Sequence, residues 1–384
     1  MSAPATDNLT AKTSLIYVID PPALMIEAIL LSASVRRHMP EVDLIAYCPA
    51  EKADLLPPQI CEYLDATNTQ LKLMPTAGVF SPHYKQGNKL IAAAQHRPHD
   101  FTVFLDTDTV LWQRVSLADM IGDGIVAAAP EGRRRWGKPD GHWQHAYSVF
   151  GMHVPAERIP MARTKVLSPP YFNAGVVAFP NAPVTGASSF GECWLQTALE
   201  LDQPEHDVPI RRPYLDQIAL PIAIRRASLN CRVLDDRFNL SLPHKDIPPG
   251  IPEHKRISWQ KDIDRINSVD PFILHYHTPS ASKGLRYDGY LDELMRESTV
   301  FRNISEAGWT RHLDFDPKAI MTEFFHLKAI PRGDRTTEQI ARFREVDAMK
   351  KKFKQMAANP RKFLDIWPAS ILPNPDMPRS VGCP

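Results

Sequence analysis

The sequence predicts an α/β protein with an open, largely parallel sheet and a helical C-terminal region. Three observations carry that expectation. Short apolar, β-branched runs alternate with helix-length stretches over the first two thirds of the chain, the order that builds βαβ units. One of those runs ends in a pair of aspartates. After Gly284 the pattern turns helical.

Residues 14–19 (SLIYVI) read as a buried strand that Asp20-Pro21-Pro22 stops. Residues 24–37 read as a helix with Pro40 beyond its end. Residues 43–47 (DLIAY) form the next strand, and strand–helix–strand in this order implies parallel pairing. A third strand is expected at 71–74, a helix at 89–97 ended by Pro98, and buried strands at 101–105 (FTVFL) and 125–129. Residues 133–149 hold three consecutive arginines, two tryptophans and two histidines between turn residues, and read as a long surface loop. A strand at 176–179, helices at 190–201 and 215–224, and a last strand at 272–276 (FILHY) complete the α/β part. Helices are expected at 290–301, 317–330 and 337–358. The expected boundaries are an α/β domain over 12–285 and a helical region over 286–384.

Composition narrows the function classes. Hydrophobic residues are 43% and charged residues 23%, ordinary for a soluble globular chain. Lys plus Arg is 45 and Asp plus Glu is 44, a net charge of +1, which provides no global field for nucleic acid. The five cysteines are odd in number and widely spaced, with no C-x-x-C. That argues against a disulfide framework or a cysteine zinc site and fits a reducing compartment. Residues 1–12 lack the pattern of a secretory signal, and no run of about 18 uncharged apolar residues occurs, so a cytoplasmic protein without a membrane span is expected.

The strongest local signal is FTVFLDTDTVL at 101–111. In extended backbone Asp106 and Asp108 would face one side, at the sheet edge where open α/β sheets bind ligands. Two hard oxygen ligands suit Mn²⁺ or Mg²⁺ beside phosphate. A solvated acidic turn has the same residues. So does the D-x-D of a haloacid-dehalogenase-like phosphatase, with Asp106 as nucleophile and Asp235-Asp236 as a later acidic pair, although that motif usually lies on the first strand of its domain.

Four further segments bear on the choice. Gly87-Asn88-Lys89-Leu90 precedes a helix and then the D-x-D strand. Tyr171-Phe172-Asn173-Ala174-Gly175 leads a strand, and Tyr214-Leu215-Asp216-Gln217 opens a helix. Phe272 to His277 is followed by Lys283. In this order they resemble the GT-A glycosyltransferases, in particular the glycogenin-like and lipopolysaccharide-galactosyltransferase-like family 8. The terminal stretch departs from that family's Gly-x-x-Lys-Pro-Trp, with Ser280 for the glycine and Gly284-Leu285 for Pro-Trp.

The resemblance implies a GT-A fold and transfer of a hexose from a nucleotide diphosphate sugar, UDP-linked and with retention, to a glycan, lipid or protein. It implies a metal held by Asp106, Asp108 and His277, with His275 as a substitute. Lys89, Asp106, Asn173, Gly175 and Lys283 would bind the donor, with Asp216 and Gln217 beside the reacting sugar. Asn239, in Arg237-Phe238-Asn239, resembles a donor-side segment and is equally a loop asparagine. A non-catalytic sugar-nucleotide-binding protein is the reading from another class. Trp136 and Trp143 are candidates to stack on an acceptor sugar, and the arginines beside them to bind an acidic acceptor. The basic run 350–354 is a solvated helix face or a peripheral contact with anionic membrane.

Overall fold

The computed structural model describes residues 6–21, 24–56, 58–242, 253–277, 282, 284–297 and 317–358. A short helix α1 (Thr6–Ala11) leads into β1 (Thr13–Val18), α2 (Met25–His38), β2 (Asp43–Pro49), α3 (Pro58–Ala66) and β3 (Thr69–Met74). Then come α4 (Gly87–Ala94), β4 (Phe101–Leu105), β5 (Thr109–Leu111), α5 (Leu117–Met120), β6 (Ile125–Pro130) and α6 (Asp140–Ser148). A two-stranded hairpin, β7 (Ile159–Pro160) and β8 (Leu167–Ser168), precedes β9 (Phe172–Pro180), α7 (Phe190–Leu201), α8 (Leu215–Arg226), β10 (Asn230–Val233) and β11 (Leu240–Ser241). The chain ends its described part with α9 (Glu253–Ser268), β12 (Ile273–His275), α10 (Tyr290–Glu297), α11 (Pro317–Ala329) and α12 (Thr337–Ala358).

Seven strands form a mixed, Rossmann-like sheet in the order β10-β6-β9-β4-β1-β2-β3. Strand β9 runs antiparallel to both β4 and β6, and the other pairs are parallel. Side chains alternate between the two faces. Leu15 and Tyr17 of β1 and Val103 and Leu105 of β4 join the core that packs α2 and α3. Ile16, Val18 and Phe104 join the other core, beneath α4, α7 and α8. Both faces are covered, which is why these strands read as unbroken apolar runs. A second sheet, β11-β12-β5, is built from the segments that follow the central strands. It brings the chain after residue 270 back against the segment after Asp108, with Leu274 opposite Val110 and His275 opposite Thr109.

Several expectations change in detail. Strand β9 starts at Phe172 rather than 176, so Asn173, Ala174 and Gly175 lie inside the sheet. Strand β10 and helix α9 were not expected: the first is mostly exposed, and the second is strongly polar. Helix α10 is described to Glu297. In α12, Lys350 and Lys351 are ion-paired with Asp347 at 3.0 and 2.8 Å; Lys351 is solvated, whereas Lys350 is largely covered and lies over the Phe324 ring. The side chains of Lys352, Phe353 and Lys354 lie outside the described residues. No helix among the described residues is long and apolar enough to cross a membrane. Cys48, Cys193 and Cys231 are free thiols, whereas Cys61 is disulfide-bonded, a departure from a wholly reduced chain.

The larger correction concerns 133–149. It is not a solvated loop: its second half is α6, and Trp136 and Trp143 are buried at 3% and 0% exposure. Their rings meet edge-on at 4.8 Å, Trp143 lies 5.7 Å from Tyr171, and Trp136 Nε1 donates to the Pro209 carbonyl at 2.7 Å. Neither ring is available to stack on a sugar. Trp143→Ala is therefore expected to cost about 3–5 kcal/mol of stability. Urea unfolding checks this, and a wild-type midpoint would show the ring is dispensable to the core.

Candidate active site

The sheet edge at the end of β4 opens into a cavity of about 760 Å³. Lys89, Asp106, Asp108, Asn173, Asp216, Gln217, His275 and His277 all line it. The structure thus gathers the predicted residues from five separate segments. Lys283 lies outside the described residues.

The two aspartates do not converge as an extended strand would place them. β4 ends at Leu105, and 106–108 form a turn. The Asp106 carbonyl accepts the Thr109 N–H at 3.0 Å and the Thr109 hydroxyl at 2.7 Å. The Thr107 hydroxyl donates to the Val18 carbonyl. The carboxylates consequently serve two different clusters.

Asp106 shares the parity of Phe104, the sheet face covered by α4 and α8. Lys89, on the first turn of α4, reaches it there. Lys89 Nζ lies 2.8 Å from Asp106 Oδ1 and 3.0 Å from Asp216 Oδ2, at the start of α8, and donates to the Ala174 carbonyl at 3.3 Å. The Tyr84 hydroxyl donates to Asp216 Oδ1 at 3.1 Å. Burial pulls the Lys89 ammonium down, but Asp106 and then Asp216 override it and hold it above its ordinary range. Burial raises the Asp106 carboxyl, against the pull of Lys89.

Asp108 faces the last sheet instead. Its Oδ1 lies 3.2 Å from His275 Nε2 and its Oδ2 lies 3.9 Å from His277 Nδ1. The two rings are 4.0 Å apart between centroids. β12 ends at His275, and His277 takes φ 53°, a left-handed conformation that non-glycine residues enter at a cost and that recurs at functional sites. Each imidazole has an oxygen partner on its other nitrogen. His275 Nδ1 donates to Asn239 Oδ1 at 3.1 Å, and His277 Nε2 shares a hydrogen with the Ser241 hydroxyl at 2.7 Å. Such partners fix the orientation of metal-ligating histidines. Burial would raise the Asp108 carboxyl, but His275 and then His277 hold it well below the usual carboxylate range. Burial lowers the His275 imidazole, and Asp108 outweighs it and raises it.

Asp108, His275 and His277 bring one ligand atom each within 4.8 Å of one another. One carboxylate and two imidazoles are a donor set that Mn²⁺ accepts. His275 is thus a member of the group and not a substitute for His277. Asp106 does not join the three: its two oxygens face Lys89.

Asn173 lines the cavity, and its side-chain hydrogen bonds go to protein groups. Its amide donates to Glu131 Oε2 at 2.9 Å, and its Oδ1 accepts from Gly175 N and from Asn239 Nδ2, both at 2.9 Å. Asn173 and Asn239 therefore chain Glu131 to His275. Gly175 serves close approach in the literal sense. A Cβ there would sit 2.5 Å from His275 Cε1. Gly175→Ala is expected to displace the imidazole and weaken Mn²⁺ binding about 10–100-fold while the fold survives. Calorimetry with Mn²⁺ reads this, and unchanged affinity would remove His275 from the metal group.

Sequence reasoning missed Glu131 and Tyr84. Glu131 follows β6 at the same sheet edge as Asp106, and that position is the signal that would have found it. It receives the Asn173 amide, the Gln217 amide at 3.4 Å and the Gly132 N–H at 2.9 Å. Gln217 Oε1 is buried without a hydrogen-bond partner among the described residues. Tyr84 had no motif to mark it.

A family model described as a Rhodobacterales glycosyltransferase domain matches residues 15–228. Among solved structures, the chain is similar to galactosyltransferase LgtC in complex with donor and acceptor sugar analogs. The identity is 16%, over 76% of this chain and 99% of that one, with a TM-score of 0.46. It is also similar to the bifunctional glycosyltransferase WbbM (13%, 77% and 50%, TM-score 0.43). A third is the glycosyltransferase GlyE of Streptococcus pneumoniae (17%, 74% and 60%, TM-score 0.41). No curated protein matches the sequence.

Proposed function

The chain belongs to the Rhodobacterales glycosyltransferase domain family, and from that premise we propose that it moves a hexose from a UDP-linked donor to a carbohydrate-containing acceptor, using Mn²⁺ or Mg²⁺. The phosphatase reading, with Asp106 as nucleophile, is set aside with it. The observation that carries the proposal is the pairing of a three-ligand group, Asp108, His275 and His277, with the Lys89 ion cluster in one cavity.

In the reaction the bond between the sugar's anomeric carbon and the diphosphate oxygen breaks, with its electron pair leaving on the diphosphate. A bond from the acceptor oxygen forms, and the acceptor proton passes to the leaving phosphate. The resemblance to family 8 supports retention of configuration. Asp108, His275 and His277 would hold a divalent ion, which would supply positive charge against that leaving group. Lys89 keeps Asp106 and Asp216 fixed beside the donor sugar, in a buried array that need not reorganise as charge develops. The buried, unpartnered Gln217 Oε1 accepts a hydrogen bond from a sugar hydroxyl. Asn173 and Gly175 act through His275: the first holds Asn239, and the second makes room for the ring.

Calorimetric titration of UDP with Mn²⁺ and with chelator tests the reading, followed by UDP release from UDP-hexoses. Metal-dependent UDP binding with turnover is expected. Binding without turnover would favour a sugar-nucleotide-binding protein, and no nucleotide binding would overturn the donor class.

A further inference from the structure

The first half of the 133–149 segment is unexplained by donor binding. Its residues are sorted by neighbours. Arg134 is tied to the loop itself, 2.8 Å from Asp140 Oδ1 and donating to the Lys138 carbonyl at 3.1 Å. Trp136 is buried and hydrogen-bonded to Pro209. These two pin the loop. Arg133 and Arg135, on either side of Arg134, line the cavity instead, and neither makes a hydrogen bond or ion pair to any described residue.

The other cavity arginines are neutralised. Arg163 pairs with Asp262, and Arg265 with Asp236. Glu131 is engaged by amides of Asn173, Gln217 and Gly132. Burial first, and then the like charges of Arg163 and Arg135, push the Arg133 guanidinium below its ordinary range. A loop anchored at Arg134 and Trp136 thus holds two cations that make no direct ion pair with a described residue, beside Arg163 and with Asp262 as the opposing charge near Arg133.

Their position separates them from the donor's diphosphate. Arg133 and Arg135 follow β6, while the metal-ligating Asp108 follows β4, and β9 lies between those strands. Two strand spacings are roughly 10 Å. An anion bound by the arginines would on this strand separation be a second one, apart from the diphosphate.

We propose that Arg133 and Arg135 form a subsite for an anionic group, phosphate or carboxylate, on the acceptor. The inference rests on the glycosyl-transfer reading of the same cavity. Guanidinium forks pair with either group in two parallel hydrogen bonds.

The test titrates the protein, saturated with UDP and Mn²⁺, with glucose 6-phosphate, with glucuronate and with glucose as the neutral control. At least one charged sugar is expected to bind about tenfold or more tighter than glucose. The tighter arm identifies phosphate or carboxylate. In Arg133→Ala/Arg135→Ala, and in Arg133→Gln/Arg135→Gln, the preference should fall to about twofold while UDP affinity stays within about twofold of wild type. Equal binding of charged and neutral sugars, or a preference that survives in the folded double variants, overturns the subsite. So does loss of UDP affinity in the variants, which would assign the arginines to the donor. A wild type that binds no UDP fails one step earlier, overturning the donor reading and the subsite with it.

Discussion

Asp108→Asn is expected to lower Mn²⁺-dependent UDP binding by about 100-fold or more, whereas Asp106→Asn keeps Mn²⁺ affinity within about tenfold of wild type. The two residues are equivalent in a D-x-D motif read as a line of text. They differ because the turn at 106–108 sends one carboxylate to His275 and His277 and the other to Lys89. Asp108→Asn removes the one carboxylate of the three-ligand group. Asp106→Asn leaves that group intact and costs the variant the Lys89 contact. Calorimetry with Mn²⁺ and UDP on both variants reads the difference. Equal losses would mean that both carboxylates ligate the metal.

Lys89→Met is expected to be the most destabilising single change in the site, by about 3–5 kcal/mol. Lys89 is the cation shared by two carboxylates whose side chains are 24% and 5% exposed. Methionine fills similar volume but leaves both charges in a desolvated place. Its effect should depend on pH in a defined sense. Burial already raises the Asp106 carboxyl, and Lys89 is the strongest influence holding it down. Without Lys89 the folded-state value rises further above the unfolded one. A carboxyl raised on folding binds more protons folded than unfolded, so the variant loses stability as pH rises above the ordinary carboxylate range. The deficit relative to wild type should be larger at pH 8 than at pH 5. Urea unfolding at both values checks this, and a deficit that is the same at both would mean that another group compensates the pair.

Most of the strands and helices were legible because each is set by neighbours in the chain. The runs at 14–19 and 101–105 are apolar on both faces because helices cover both, and their ends carry prolines or aspartates. The site residues were legible as segments. Each of Lys89, Asp106, Asn173, Asp216 and His277 stands at the end of an apolar element, and sheet topology delivers such ends to one edge. Glu131 stands at such an end too, but a single carboxylate after Ala-Pro has no spacing partner to mark it. Tyr84 acts through a contact to Asp216, far along the chain, and the segment that marked Asn239 did not reveal its contact to His275.

What the sequence by itself determined was the α/β alternation, the D-x-D strand end and the order of the segments, all consequences of local hydrophobic pattern and turn chemistry. Tertiary structure alone decided three things. The turn after β4 split the aspartate pair between two clusters, because Thr107 and Thr109 hydrogen-bond the backbone there. The return of β12 against β5 put both histidines beside Asp108, a pairing across more than 160 residues that no local signal encodes. Packing of α6 buried Trp136 and Trp143, which in sequence read as exposed aromatics between charges. The physical reason is common to all three. A side chain's partner is set by which distant surfaces must cover each other, and local pattern fixes only which surfaces are apolar.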